Sequence, residues 1–141
     1  MKILIPVDGS ANADRAVDYV IAQTANLKTM PEICLLNVQW KIASGNVKLF
    51  INQETINDYY REQGAAALTQ SRAKLDISGL AYTYHVSVGS PAEAVLQYAQ
   101  EHQIDHIVMA AHGQTNLSTL LLGSVAAKIV QLAQIPVLLV K

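Results

Sequence analysis

The chain holds a single cysteine, Cys34, a single tryptophan and a single phenylalanine among 141 residues. One cysteine excludes an internal disulfide and any cysteine-rich metal site. Charge is also scarce. Charged residues make up 15%, and 10 Lys and Arg against 11 Asp and Glu leave a formal net charge of −1. No basic field exists to attract nucleic acid or an acidic lipid surface. No apolar run approaches the ~18–20 residues of a membrane span. The opening Met1-Lys2-Ile3-Leu4-Ile5-Pro6 reaches a proline too soon for the apolar stretch of a signal peptide. The expectation is a soluble, cytoplasmic protein that binds neither nucleic acid nor membrane. Hydrophobic residues, in contrast, make up 51%, which excludes a disordered polyelectrolyte. The length suits one domain over residues 1–141.

Residues 2–7 are a branched apolar run ending at Asp8-Gly9-Ser10, the pattern of a strand buried on both faces and then a turn. Residues 11–27 change period. Ala13, Ala16, Val17, Val20, Ile21 and Ala25 fall on one helical stripe, with Ser10 as N-cap. Residues 33–38 form a second apolar strand. Residues 39–53 have no clear period and exceed most connections in a compact domain, which suits a lid or binding loop. Residues 54–76 predict a helix with Tyr59 or Tyr60, Ala66, Leu68 and Leu75 inward. Gly64 weakens that helix by about 1 kcal/mol relative to alanine. Residues 81–88 predict strand three, ended by Gly89. Ser90-Pro91-Ala92-Glu93 reads as a capping box with proline in the first turn, and its helix runs to about His102. Residues 106–111 predict strand four, a last helix runs from near Gly123-Ser124 to about Gln134, and 137–140 predict strand five.

Buried strands alternating with helices give an α/β fold: a single-domain, doubly wound, five-stranded parallel sheet with helices on both faces, Rossmann-like in type. Ligands of such sheets sit at the carboxyl ends of the strands, where the winding direction switches. That draws attention to residues 8–10, 38–53 and 110–124. In the last of these, Gly113 lets the backbone turn or approach a ligand closely. Gly123-Ser124 stands where a helix begins, with free amides and the positive dipole end pointing outward. Ser124 is therefore either a phosphate contact or a helix cap. Asp8 suits ribose hydroxyl donors rather than phosphate, or else serves as a turn or cap residue. Val38 and Trp40 begin the long loop, where they flank a purine or simply pack. Residues 106–127 contain no Lys or Arg, and the nearest cation in sequence is Lys128, which either leans back toward the N-terminus of the last helix or is a solvated surface charge.

The spacing Gly113-x9-Gly123-Ser124 resembles the phosphate-binding pattern of the universal stress protein family, Gly-x2-Gly-x9-Gly-Ser/Thr, with Ala110 in place of the first glycine. So do Ile5-Pro6-Val7-Asp8-Gly9-Ser10, Gly89-Ser90-Pro91, Leu120-Leu121-Leu122-Gly123-Ser124-Val125-Ala126 and Ile135-Pro136-Val137-Leu138-Leu139-Val140, so the resemblance runs end to end. It implies an adenine nucleotide alpha hydrolase-like fold and an adenine-nucleotide-binding stress protein, ATP or a relative, with Mg2+ or Mn2+ accompanying the phosphates. It implies that Asp8 holds the ribose. Pro6, Val7 and Val38 would line the adenine pocket. Met109 and Ala110 would lie against base and sugar, and His112, Gly113, Gly123, Ser124 and Val125 on the phosphate side. It also implies a homodimer paired through 137–140. Some family members lack the glycines and do not bind ATP; such a member would act through protein–protein contacts.

Other constellations are weaker. There is no Gly-x4-Gly-Lys-Ser/Thr loop and no Gly-x-Ser-x-Gly elbow. His102 and His106 straddle a helix end and a strand start, which argues against a metal pair. Cys34 reads as a buried core residue. Leu120-Leu121-Leu122 reads as core packing. His112 is either a phosphate contact or a loop surface residue. No nucleophile stands beside a base, and no arginine is placed to balance transition-state charge, so the expectation is a binding protein and not an enzyme, slow ATP hydrolysis aside.

Overall fold

The structure, a computed structural model, describes residues 1–42, 52–114 and 121–141. Strands and helices alternate: β1 (Lys2–Pro6), α1 (Ala11–Thr24), β2 (Glu32–Gln39), α2 (Gln53–Ser78), β3 (Tyr82–Val88), α3 (Pro91–Glu101), β4 (His106–Ala110), α4 (Ser124–Leu132) and β5 (Val137–Val140). Every strand pairing is parallel, in the order β3-β2-β1-β4-β5. The chain winds outward from β1 through β2 to β3, returns to β4 on the other side of β1, and ends at β5. The switch in winding lies between β1 and β4. This is the doubly wound five-stranded sheet that the alternation of runs predicts.

Side chains of a strand alternate between its two faces. Ile3, Ile5, Ile33, Leu35 and Val108 pack on one face beneath Ala16, Val17 and Val20 of α1 and Leu68 and Leu75 of α2. Leu4, Leu36, Ile107 and Met109 pack on the other beneath Val95 and Ala99 of α3 and Ala126 and Ile129 of α4. With both faces covered, the strands carry unbroken apolar runs. Each such side chain, once fully buried, contributes about 1.5–3 kcal/mol. Ser10 Oγ accepts from the Ala13 amide at 3.1 Å and Asn52 Oδ1 from the Thr55 amide at 2.8 Å, so α1 and α2 start on side-chain caps. No helix of the described residues is long and apolar enough to cross a membrane.

Several local expectations are corrected. α1 stops at Thr24, and its last inward residue is Thr24, not Ala25. The Thr24 hydroxyl donates to the Ile21 carbonyl at 2.8 Å, which lets it be buried without a lost hydrogen bond. In α2, Tyr60 turns inward and Tyr59 outward, Ala66 is exposed, and Gly64 takes an inward place against β3. The capping box of α3 does not form: Ser90 Oγ donates to Glu93 Oε2 at 2.5 Å and caps no amide. Glu93 is held instead by Lys128 of α4, which is exposed, as a solvated surface charge should be, and pairs at the surface. Cys34 is only partly buried and accepts from Thr83 Oγ1 at 3.4 Å, because β3 is an edge strand with exposed residues. Leu121 and Leu122 are exposed, since the sheet faces are already filled by helices. Leu120 and most of the expected 39–53 loop lie outside the described residues.

Candidate functional site

A cleft of about 780 Å³ opens at the carboxyl ends of β1, β2 and β4, across the switch in winding. That volume falls within the range of small-molecule and cofactor sites. The structure brings Pro6, Val7, Asp8, Val38, Met109, Ala110, His112, Gly113, Gly123, Ser124 and Val125 together around it. Residues up to 119 apart in sequence thus meet because β1 and β4 are neighbours in the sheet.

Asp8 follows β1 and is not the cap of α1, a place Ser10 takes. Its Oδ1 accepts from the Ser10 amide at 3.0 Å and from Ser10 Oγ at 2.6 Å. The carboxylate is therefore fixed against the amide end of α1, with Oδ2 turned toward Gly113. A β-carbon built on Gly113 would stand 2.8 Å from that oxygen. Two further hydrogen bonds join the same turns. Asn12 Nδ2 donates to the Gly113 carbonyl at 2.9 Å, and Gln114 Nε2 donates to the Asp8 carbonyl at 2.7 Å. Gly9 adopts φ +83°, open to glycine at little cost, and a β-carbon there would meet Ala67 Cα at 3.1 Å.

The opposite end is built from the start of α4. Gly123 is its N-cap and offers no side-chain acceptor. Among the described residues nothing accepts from the first-turn amides at Ser124, Val125 and Ala126, and all three residues line the cleft. The Gly123 amide donates to the Ala111 carbonyl at 2.9 Å. His112 Nε2 donates to the Leu121 carbonyl, and the residue lines the cleft. A β-carbon on Gly123 would lie 3.4 Å from the Ala111 carbonyl oxygen.

Met109, Ala110, Val38, Val7 and Pro6 make an apolar floor. Trp40, 67% exposed, stands at the rim with Tyr59. Asn37 went unnoticed in the sequence. It is buried in the floor, donates Nδ2 to the Val7 carbonyl at 2.8 Å, and accepts from Gln39 Nε2 at 2.6 Å. Its signal was an amide inside an otherwise apolar strand. The α2 wall of Gln63, Ala66 and Ala67 and the α3 contribution of Pro91 and Val95 were missed as well. Nothing local in sequence marks them. Among the described lining residues Asp8 is the one carboxylate, and there is no Lys or Arg. Thr115 and Asn116 lie outside the described residues.

The described residues contain no group of three or more His, Cys, Asp and Glu able to hold a metal. His102 stacks on Tyr98 with ring centroids 3.8 Å apart, and His85 Nδ1 lies 2.9 Å from the Tyr98 hydroxyl. Burial, with the nearby Cys34 adding to it, pushes the Tyr98 phenol up.

The model of the universal stress protein family matches residues 1–141. Universal stress protein MJ0577 of Methanocaldococcus jannaschii is 28% identical over 156 residues, covering 99% of this chain and 94% of its own. Its solved structure superposes at TM-score 0.83, with 30% identity and the same coverage. A universal stress protein solved in complex with cAMP superposes at 0.73 and 20% identity, covering 100% of this chain and 97% of its own. A family protein from Arabidopsis thaliana with AMP bound superposes at 0.69 and 21% identity, covering 100% of this chain and 91% of its own.

Proposed function

The chain belongs to the universal stress protein family, and from that premise we propose that it binds an adenine nucleotide, ATP among them, as a homodimeric regulator or sensor in a stress response. One observation carries the reading. A fixed carboxylate, an apolar floor and an uncapped helix start meet in one cleft of suitable size. Asp8 would accept from ribose hydroxyls through Oδ2. Met109, Ala110 and Val38 would lie against base and sugar. The amides of α4 with Ser124 would take a phosphate, a contact at which the helix dipole adds typically 0.3–1 kcal/mol. Mg2+ or Mn2+, where present, would be held chiefly by phosphate oxygens, since Asp8 is the one carboxylate among the described lining residues. Family proteins of the same fold solved with AMP and with cAMP support the reading. The protein is read as a binder and not a catalyst, because Asp8 is tied to Ser10 and no lining arginine faces the phosphate end. β5 is an edge strand of apolar residues, suited to pairing with its copy across a two-fold axis.

A second reading, protein–protein contact without nucleotide, is favoured by the Ala110 methyl in the cleft floor, where the family pattern has glycine. Calorimetry with ATP, with and without Mg2+, separates the two. The parent and Ala110→Gly are expected to bind, and Gly123→Val to lose at least about tenfold in affinity through overpacking. Binding by Ala110→Gly alone would establish the second reading. Absence of binding in every variant would reject nucleotide as ligand.

A further inference from the structure

We propose that this cleft selects adenine nucleotides bearing one phosphate over those bearing three, and that the Glu93–Lys128 ion pair sharpens this preference by holding Lys128 away from the outer phosphates. The inference rests on the nucleotide reading above and specifies its ligand class. Three observations lead to it.

The first is the charge of the site. Asp8 contributes one negative charge, and no described lining residue is Lys or Arg. The whole stretch 106–127, which includes the helix start, has neither. The second is the size of the anion seat. The α4 start presents the amides of Ser124, Val125 and Ala126 and the Ser124 hydroxyl, with a dipole equivalent to roughly half a charge. Among the described residues, that set suits the oxygens of one phosphate group. Each added charge, at ~10 Å from the Asp8 carboxylate and in an effective dielectric of ~20, weakens binding about tenfold.

The third is the fate of Lys128. It stands on α4 one turn beyond Ser124, where helical side chains lean back toward the N-terminus. From there an ammonium group would serve the outer phosphates. Its Nζ is instead paired with Glu93 Oε1. Glu93 lies in the first turn of α3, beside Pro91, which lines the cleft. Ser90 Oγ holds the other carboxylate oxygen at 2.5 Å. The Lys128 hydrogen bond, with that of Ser90, lowers the Glu93 carboxyl to about 2, so the pair stays charged at neutral pH. Both partners are about half exposed, so the pair can be edited without opening the core.

The test is calorimetry of the full chain with AMP, metal-free ATP and ATP with Mg2+. The variants are the parent, Glu93→Gln, and Glu93→Gln/Lys128→Met, with each variant's unfolding curve taken alongside. In the parent, metal-free ATP, which carries two more negative charges than AMP, is expected to bind about a hundredfold more weakly, and Mg2+ to close most of the gap by neutralising the outer charge. Glu93→Gln should release Lys128 and tighten metal-free ATP about tenfold while moving AMP by less than about threefold. Adding Lys128→Met should cancel that gain, which a merely structural role for the pair would not produce. Metal-free ATP binding as tightly as AMP in the parent would overturn the inference and leave the nucleotide reading standing. So would an ATP-to-AMP ratio that Glu93→Gln does not change. If neither AMP nor ATP binds to any variant, both fall together.

Discussion

Replacing Gly64 by alanine should destabilise the protein, although alanine is favoured over glycine by about 1 kcal/mol in a helix interior. Gly64 is buried in α2 and faces Val86 of β3. A β-carbon there would stand 2.4 Å from Val86 Cγ1, 2.5 Å from Cγ2 and 3.0 Å from Cβ. Carbon atoms in good contact are ~3.5–4.0 Å apart. Both valine methyls are struck at once, and a β-branched side chain has few rotamers in which to escape. The helix must therefore move outward, which also loosens Leu68 and Leu75, both fully buried on the same helix. Overpacking of this kind costs about 1–3 kcal/mol and occasionally more. Subtracting the propensity gain, the net change is expected at about 0–2 kcal/mol destabilising.

Urea unfolding of four proteins tests this. Val86→Ala removes both methyls, leaving only the tight 3.0 Å contact with Cβ. In that background Gly64→Ala should become neutral or stabilising, by up to about 1 kcal/mol. The predicted result is a reversal of sign, which propensity alone cannot produce. A stabilising Gly64→Ala in the parent would refute the reasoning. So would equal destabilisation in both backgrounds.

Gly113→Ala would place a β-carbon 2.8 Å from Asp8 Oδ2, a carboxylate already fixed by Ser10. Calorimetry should show nucleotide affinity lower by about tenfold or more. In an Asp8→Ala background, the same change should cost the fold less in urea unfolding, because the clashing oxygen is gone. Glu93 yields a pH prediction. Its carboxyl is lowered from 4.5 to about 2, chiefly by the hydrogen bond from Lys128. A depressed acid stabilises the fold above its unfolded value and loses that contribution as pH falls toward its folded value. The difference in Tm between the parent and Glu93→Gln should therefore be level above about pH 5 and vanish between 4.5 and about 2.

What local sequence could reveal is what local forces decide. Leu4, Ile5, Leu35, Leu36 and Ile107 are wholly buried because helices cover both faces, and such strands must be apolar throughout. From their alternation with helical stripes the sheet, its double winding and the position of the cleft follow, and all the expected binding positions do line that cleft. The errors have a different origin. Ser90 and Glu93 have the spacing of a capping box, but Lys128, 35 residues on, offers Glu93 a charge-assisted partner that a backbone amide cannot match. Cys34 was expected to be buried, but its neighbour Thr83 sits on an edge strand, and strand order is set by the whole sheet.

The glycines show the same limit most clearly. In sequence, Gly64 is a defect in a helix, Gly113 a turn and Gly123 a helix start. In the fold Gly64 and Gly113 each mark a place where two elements approach more closely than a β-carbon allows, α2 on Val86 and the β4 turn on Asp8, whereas a β-carbon on Gly123 would make only an ordinary contact with Ala111. Gly9, set tightly against Ala67, is a third close approach. Gly9, Gly113 and Gly123 border the cleft, and Gly64 seats the helix that forms its wall. The width of the cleft thus depends on missing methyl groups, and each missing group is explained by an element remote in sequence. Periodicity can indicate which strands converge on a site. How closely they converge is decided by contacts that periodicity does not record.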